Sequence, residues 1–153
     1  MGFRRCFRYL LLLSIIVFPI GVALPRRWFR GDQALFLCRP FEQGGRIYER
    51  LRIQRWKSRL PDMSKCFPRL LPPKQLALRS KEQVQLLVQE SCVAELVHGW
   101  LCLSGLYCLS LWEGLGGLCM FLANCAANLP FILVQRYNRP RFARLLARFE
   151  RAD

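Results

Sequence analysis

The sequence predicts an all-α integral membrane protein, in which a C-terminal transmembrane helical hairpin follows an N-terminal apolar segment and a basic interfacial region of helices and loops. Apolar residues make up 53% of the 153 residues, but they are massed in blocks rather than spread with the period of a soluble core. Residues 9–24, 96–112 and 114–135 contain no Asp, Glu, Lys or Arg, and each block is close to the roughly 20 residues that span a bilayer core. The formal charge of +14 lies outside these blocks, as expected for basic segments at a membrane surface.

The N-terminal apolar segment, residues 1–24, has features of both an anchor and a secretory signal peptide. It contains the shortest block and carries arginines before it, as a signal peptide does. No clean small-residue cleavage site follows at Leu24 and Pro25, so we expect the segment to be retained. Three arginines lie close to the block on each side, so charge does not orient it.

Residues 25–79 form a basic region that we expect at the membrane surface. Apolar and charged residues alternate over residues 42–56 with an approximately helical spacing, which is typical of a helix lying on the membrane or docked on the spans. Prolines then make a helix unlikely up to about Lys74. These prolines are Pro61, Pro68, Pro72 and Pro73.

The last region, residues 80–153, is predicted to begin with one long helix. Ser80 and Gln83 have the spacing of a capping box, and the helical pattern continues into the second apolar block without a breaker. The second and third blocks are predicted to form a hairpin, which places both basic regions on one side, the cytoplasm by the positive-inside tendency. The far turn is predicted to contain Glu113, Gly114, Gly116 and Gly117.

Three titratable residues of the long helix are candidate catalytic groups. Glu90, Glu95 and His98 fall within an arc of roughly 140° on an ideal helix, and the carboxylate of Glu95 comes three residues before the imidazole that it would orient. Imidazole is suited to taking a proton near neutral pH. The alternative, that Glu95 and His98 are merely solvated at the headgroup level, stays open.

The third apolar block carries a polar stripe. Asn124, Asn128 and Gln135 project within roughly 40° of one another, and Pro130 lies between them, where it frees the carbonyl of Ala126. This arrangement favours a polar pocket at Asn128, whereas helix packing is the better interpretation of Asn124. Beyond the stripe, aromatic and aliphatic residues alternate with arginines, as in an interfacial helix held by anionic lipid.

The eight cysteines do not predict a metal site or a disulfide. No pair has the two-residue spacing of a zinc knuckle, and four lie inside the two C-terminal apolar blocks, where cysteine behaves as a small hydrophobe. We therefore expect no metal. We also expect no nucleic-acid partner, because the arginines flank apolar spans and no groove-reading module is recognisable.

Short groups of residues that match the pattern of one protein family lie in order along nearly the whole chain. They are Trp28, Phe29 and Arg30; Phe41, Glu42, Gly45 and Tyr48; Arg55, Trp56, Lys57, Leu60, Pro61 and Asp62; Ser64 and Lys65; Glu90 with residues 94–98; and Ala127, Asn128 and Pro130 with residues 135–141. In these groups the chain resembles the glycosyl-4,4'-diaponeurosporenoate acyltransferases, small bacterial membrane enzymes of carotenoid biosynthesis. The last two groups are the most specific.

The resemblance implies an O-acyltransferase that esterifies a fatty acyl group onto the primary 6-hydroxyl of a carotenoid-linked glucose. It implies a glycosylated carotenoid as acceptor, an acyl thioester (acyl-CoA or acyl carrier protein) as donor and no bound cofactor. We expect membrane lipid as a further partner, an integral location in the cell membrane, and an active face on the cytoplasmic side. Association with other carotenoid enzymes fits the same interpretation.

Residue type and placement suggest how the reaction proceeds. His98, oriented by Glu95 and by Glu90, would deprotonate the sugar hydroxyl, while Arg136, Asn128 or Arg139 stabilises the oxyanion. Donor phosphates, or alternatively lipid headgroups, would bind a basic surface that includes Arg55, Lys57, Lys65 and Arg141. The predicted substrate-binding residues are Asn128, Gln135, Arg136, Tyr137, Asn138, Arg139, Arg141, Trp56, Lys57, Asp62 and Lys65.

Two other interpretations remain at this point. A non-catalytic membrane scaffold of a carotenoid or glycolipid pathway would use the same polar stripes for helix association. An acyl-cysteine intermediate at Cys66 or Cys92 is the second, although nothing in their sequence surroundings argues for a lowered thiol pKa.

Overall fold

The computed structural model describes residues 1–61 and 80–152, and these residues form an all-α membrane protein. Within these two ranges, three helices are long and apolar enough to cross a membrane, over Gly2–Ala23, Lys81–Leu111 and Leu115–Arg151, which confirms the predicted fold class. The α-helices are α1 (Gly2–Ala23), α2 (Ile47–Arg50), α3 (Ile53–Trp56), α4 (Lys81–Ser104), α5 (Cys108–Leu111) and α6 (Leu115–Ala152). Short 3₁₀ turns occupy Arg26–Trp28, Pro40–Gly45, Lys57–Arg59 and Gly105–Tyr107.

The long helix α4 begins where the capping pattern predicts. The Ser80 side chain accepts a hydrogen bond from the Gln83 backbone N–H at 3.3 Å, which satisfies one of the otherwise unpaired donors of the first turn. A 3₁₀ turn and α5 then continue the span up to Leu111.

The hairpin turn is tighter than predicted. Gly114 adopts a left-handed φ of 75°, and α6 starts at the next residue, so Gly116 and Gly117 belong to the helix rather than to the turn. Their glycine character has a packing cause. A Cβ on Gly117 would lie 2.1 Å from the carbonyl oxygen of Trp112. The two glycines therefore allow the start of α6 to approach the end of the preceding span closely.

Helix α6 is one continuous element through Pro130 and Pro140. It includes the third apolar block, the polar stripe and the basic tail that we expected at the interface. A single helix therefore connects the polar groups of the basic tail to those inside the span.

Helix α1 runs antiparallel to α4. A Cβ added to Gly2 would lie 2.2 Å from the ring of Trp112, and one added to Gly21 would lie 2.8 Å from Val97 Cγ2. The N-terminus thus lies beside the far turn of the hairpin, while the C-terminal end of α1 reaches the middle of α4. These contacts give the direction of α1 relative to α4, which the equal numbers of arginines on its two sides left open.

The basic region does not form the single helix that the spacing over residues 42–56 suggests. Its backbone breaks at Gln43, Gly44 and Gly45, where φ is 50°, 64° and 90°, and again at Arg52, where φ is 50°. Only short turns remain, because left-handed residues end a right-handed helix. The region is docked on the spans, since buried Tyr48 and Ile53 pack against Tyr137 of α6. Of the two alternatives left open, a helix lying on the membrane or one docked on the spans, the described residues show docking, and they form short turns rather than one regular helix.

Candidate active site

A histidine–asparagine pair joins the two long helices at the polar stripe. His98 Nδ1 of α4 lies 2.9 Å from Asn128 Oδ1 of α6. The Phe131 ring stacks on the imidazole, with centroids 4.4 Å apart and planes inclined by 7°. Both polar side chains are half-buried, so the imidazole is held from two sides and still has access to the surface.

The neighbouring amides decide which nitrogen of His98 carries the proton. Asn128 Nδ2 donates to the Asn124 backbone carbonyl at 2.9 Å and lies 3.2 Å from Asn124 Oδ1, and both oxygens are acceptors. The remaining oxygen of the Asn128 amide is thus the atom that faces His98, and it must receive a proton from Nδ1. Neutral His98 then has its lone pair on Nε2, which makes Nε2 the proton-accepting nitrogen of the ring.

Asn124 anchors this chain of amides to the opposite helix. Its Nδ2 donates to the Leu101 carbonyl at 2.9 Å, as the packing interpretation of Asn124 predicts. A Cβ on Gly105 would lie 2.4 Å from that nitrogen. Gly105 is therefore needed for the amide to reach α4.

The carboxylate that we expected to orient His98 is held by arginines instead. Glu95 Oε1 accepts from Arg136 Nε at 2.7 Å, and Oε2 accepts from Arg139 Nη2. Two guanidinium groups compensate the charge of a side chain that is 8% exposed. The His98 tautomer is fixed instead by the hydrogen bond that Nδ1 donates to Asn128 Oδ1. Glu95 lies at the centre of an ion-pair cluster one helical turn away.

Glu42 is the second carboxylate of this ion-pair cluster. It is 1% exposed, and both of its oxygens lie 3.2 Å from Arg136 Nη1, while Tyr48 donates its hydroxyl to Oε1. Burial alone would raise the pKa of Glu42, but the hydrogen bonds from Tyr48, the Arg39 backbone N–H and Arg136 outweigh it and lower the pKa. Burial and the Glu42 charge raise the pKa of Tyr48, which keeps its donor proton.

Sequence reasoning did not assign Glu42 and Tyr48 to the site. The signal that was present is the spacing of Arg39 and Glu42 around Pro40, which the structure uses as a capping box with an N–H to Oε2 distance of 2.5 Å. That spacing predicts a local turn. It cannot indicate that the carboxylate also reaches an arginine 94 residues further along the chain.

Arg139 is part of the same cluster and has its donors engaged. Its Nε donates to Ser91 Oγ at 3.0 Å, its Nη1 to the Phe36 carbonyl at 2.8 Å, and its Nη2 to the Ser91 carbonyl at 3.1 Å. With 4% exposure, this guanidinium ties α4, α6 and the loop before Pro40 together. Arg136 Nη2 similarly donates to the Leu35 carbonyl at 2.9 Å. Both arginines are therefore placed to hold the site rather than to receive an oxyanion.

Glu90, the third predicted catalytic residue, lies against α1. Its Oε1 accepts from Arg26 Nε at 2.5 Å. Arg26 Nη1 also donates to the carbonyls of Gly21 and Leu24 at 3.0 and 2.5 Å, which satisfies acceptors at the C-terminal end of α1. Glu90 therefore fastens α1 to α4.

Arg141 and Lys57, two of the other predicted binding residues, lie against Tyr137, which is itself one of them and is 2% exposed. Gln54 Nε2 donates to its hydroxyl at 2.6 Å, and the Arg141 guanidinium lies 3.5 Å from its ring centroid. Arg141 Nη2 also pairs with Glu49 Oε1 at 2.6 Å. This arrangement docks the basic region on α6.

Three further predicted residues are placed nearby. Lys57 Nζ lies 5.3 Å from the Tyr137 ring centroid, and Trp56 packs against the cluster that contains Tyr137. Gln135 and Asn138 are half-buried on α6. Asp62 and Lys65 lie outside the described residues.

Neither Cys92 nor Cys38 is suited to forming an acyl-cysteine intermediate. Cys92 is fully buried, so a donor has no access to its thiol. Cys38 is partly accessible, but burial and the nearby Glu42 charge raise its pKa and disfavour the thiolate. Cys66 lies outside the described residues.

Comparison with known proteins places this chain in a family. The family profile described as glycosyl-4,4'-diaponeurosporenoate acyltransferase matches residues 25–148, which include the His98–Asn128 pair and both arginines of the ion-pair cluster. The chain belongs to this family. It is a membrane protein and an acyltransferase of a staphyloxanthin-type carotenoid pathway.

Curated relatives agree with the family assignment. Glycosyl-4,4'-diaponeurosporenoate acyltransferases from the Staphylococcus aureus strains bovine RF122 / ET3-1 and USA300 are each 25% identical to the chain over 142 residues. The match covers 92% of this chain and 86% of each relative. No solved structure matches the chain.

Proposed function

We propose that this acyltransferase uses His98 as general base to esterify a fatty acyl group onto the primary 6-hydroxyl of the sugar of a glycosylated carotenoid. The observation that carries the proposal is the His98–Asn128 hydrogen bond. Because the Asn128 amide presents its oxygen to Nδ1, the proton of the neutral imidazole lies on Nδ1 and the lone pair on Nε2. The acceptor is suggested by the name that the family and the relatives share.

The donor in this proposal is an acyl thioester. His98 Nε2 removes the hydroxyl proton as the sugar oxygen attacks the thioester carbonyl, and the tetrahedral intermediate then expels the thiolate. The imidazolium returns its proton to that sulfur, so no proton is gained or lost. Asn128 keeps the ring orientation through both steps without adding a charge at membrane depth, where an unpaired carboxylate would be costly.

The ion-pair cluster supports the base from one turn above. Glu95 and His98 are three residues apart on α4, which corresponds to a rise of about 4.5 Å. The two carboxylates and two arginines of the cluster fix the position of α4 against α6 and the loop before Pro40. This rigidity holds the imidazole and the polar stripe in register.

We place the active face on the cytoplasmic side. The basic region docks on the C-terminal half of α6, so both concentrations of arginine lie at the same end of the hairpin. An acyl-CoA or acyl carrier protein donor is supplied from that side.

The test is mass spectrometry of the product made by purified protein from a glycosylated carotenoid and an acyl thioester. Wild type should add one acyl mass to the sugar, and His98→Ala should lower the rate by about 100-fold or more. His98→Gln is a matched variant that retains a polar side chain but no base, and it should be equally slow. Full activity of either folded variant would remove His98 as the base. No product from wild-type protein would contradict the proposed reaction.

A further inference from the structure

A cavity of about 550 Å³ lies beside the ion-pair cluster, on the side of the basic tail. Its walls come from the loop of residues 29–38, the first turns of α4 and the C-terminal half of α6. This volume falls within the range of small-molecule pockets. His98 and Asn128 do not line this cavity, and the roles proposed for them do not involve it.

We propose that this cavity binds the phosphopantetheine arm of the thioester donor, an inference that rests on the proposed function. The arm is the part of the donor that acyl-CoA and acyl carrier protein share. Its phosphate would lie at Arg144 on the rim, and its thioester end would be directed at the ion-pair cluster.

The cavity lining matches the chemistry of the arm. Gln85 and Gln89 of α4 offer amide donors and acceptors, which a pantetheine chain with two amide groups can pair. Phe29, Val88 and Ala147 supply apolar surface for its methyl and methylene groups. A fatty acyl chain has no need of glutamines, and the bilayer already solvates it. The lining is mostly apolar, so the methyl and methylene groups of the arm would meet most of it and the two glutamines would meet its amides.

Arg144 has donor capacity for the phosphate. Within the part of the chain that the structure describes, its guanidinium makes one hydrogen bond, from Nη1 to the Gly44 carbonyl at 3.3 Å. Two other guanidinium groups of the lining, those of Arg136 and Arg139, are committed to the ion-pair cluster, and Arg30 is paired with Asp32 at 2.7 Å. The rim also carries Glu150, whose carboxylate would repel a phosphate, so Arg144 has to supply the local positive charge.

The depth of the cavity directs the arm toward the base. Arg144 and Arg136 are eight residues apart on α6, a rise of about 12 Å. Arg136 is the lining residue of α6 that comes first in the chain, and it bonds Glu95, which precedes His98 by one turn. An arm that enters at Arg144 therefore points its sulfur end toward the level of the reaction.

Binding to purified protein in detergent tests the site without requiring turnover. The probes are 4'-phosphopantetheine and pantetheine, measured by equilibrium dialysis. Wild type should bind the phosphorylated form about tenfold more tightly. Arg144→Gln should abolish this preference without weakening the binding of pantetheine, while Arg148→Gln, outside the lining, should leave both affinities unchanged. Equal losses in the two arginine variants would overturn the assignment of Arg144.

Filling the cavity provides a second measurement. Ala143→Phe should weaken both probes by about tenfold or more, whereas Ala123→Phe, on an exposed face of the same helix, should not. Normal affinity in a folded Ala143→Phe protein would overturn the site. If binding is lost as predicted but wild type transfers no acyl group, the cavity assignment stands and the proposed reaction fails.

Cys38 reports occupancy of the same cavity. Its side chain lines the cavity, whereas Cys119 is exposed on α6 outside it. Octanoyl-CoA and octanoyl acyl carrier protein should each slow alkylation of Cys38 by N-ethylmaleimide, with no effect on Cys119, as read by peptide mass spectrometry. Protection by only one of the two identifies the natural donor. Protection by octanoate alone, with no effect of either thioester, would show a hydrocarbon occupant and contradict the proposal.

Discussion

At the residue scale, the site depends on a neutral hydrogen-bond partner for its histidine. The Asn128 amide is fixed by Asn124, and it orients His98 without a formal charge. The sequence contains the signal for both residues, since His98 is the only histidine and Asn128 lies two residues before Pro130. It does not contain the signal that they pair, because 30 residues and a hairpin turn separate them.

Replacing Asn128 by Asp should change the pH dependence of the reaction. A carboxylate beside Nδ1 would stabilise the imidazolium form of His98, so a higher pH is needed to free the base. We expect the acidic limb of the kcat/KM profile to move upward by about 1 pH unit or more. Asn128→Ala is the comparison variant. It should lower activity at every pH without that upward displacement, and identical profiles for the two would contradict the assigned hydrogen bond.

Glu42 gives a stability prediction with a defined pH direction. Its pKa is lowered in the folded protein, so its contribution is complete above the ordinary value of 4.5 and is lost as the pH falls through the folded-state value. Glu42→Gln should lower the free energy of unfolding at neutral pH by about 3 kcal/mol, because Arg136 and Tyr48 lose an ionised partner. The difference from wild type should shrink below pH 4.5, as measured by thermal unfolding in detergent.

Glu49 is the matched control for that measurement. It also pairs with an arginine, Arg141, but its side chain is 54% exposed. Glu49→Gln should therefore cost no more than about 1 kcal/mol. Equal effects of the two substitutions would show that burial of the Glu42 ion pair contributes nothing to stability.

At the element scale, helices were predictable where local signals are continuous. The capping pattern at Ser80 and the unbroken apolar runs predict α4 and α6 correctly. The basic region was less predictable, because charged and apolar residues at helical spacing also suit short turns docked on another helix. Left-handed backbone at Arg52 breaks the pattern, and no glycine at that position announces it.

The contact of α1 with α4 depends on the missing side chain of Gly21. Gly21→Leu should separate the helices, because even a Cβ there would lie 2.8 Å from Val97 Cγ2. We expect a loss of about 1–3 kcal/mol in unfolding free energy. Ala23→Leu, on an exposed position of the same helix, is the control and should have little effect. Indistinguishable melting temperatures would mean that α1 does not pack on α4 at this position.

At the scale of the whole molecule, the N-terminus and the hairpin turn share one side of the membrane. Cysteines at Arg4 and Glu113 should react with a membrane-impermeant maleimide from the same side, and one at Arg59 from the opposite side. Peptide mass spectrometry separates these sites from the native cysteines. Labelling of Arg4→Cys together with Arg59→Cys would contradict the antiparallel arrangement of α1 and α4. Reaction of Arg59→Cys only in opened cells would support a cytoplasmic active face.

The amino-acid sequence by itself determined the membrane spans, the start of α4 and the family, because apolar runs, capping spacing and short motifs are local properties of the chain. Only the tertiary structure decided the direction of α1, since three arginines lie close to its apolar block on each side. It also decided that Glu95 binds Arg136 and Arg139 while Asn128 binds His98. Which side chains pair depends on their distance from one another across the packed helices, and that distance cannot be read from their spacing in the sequence.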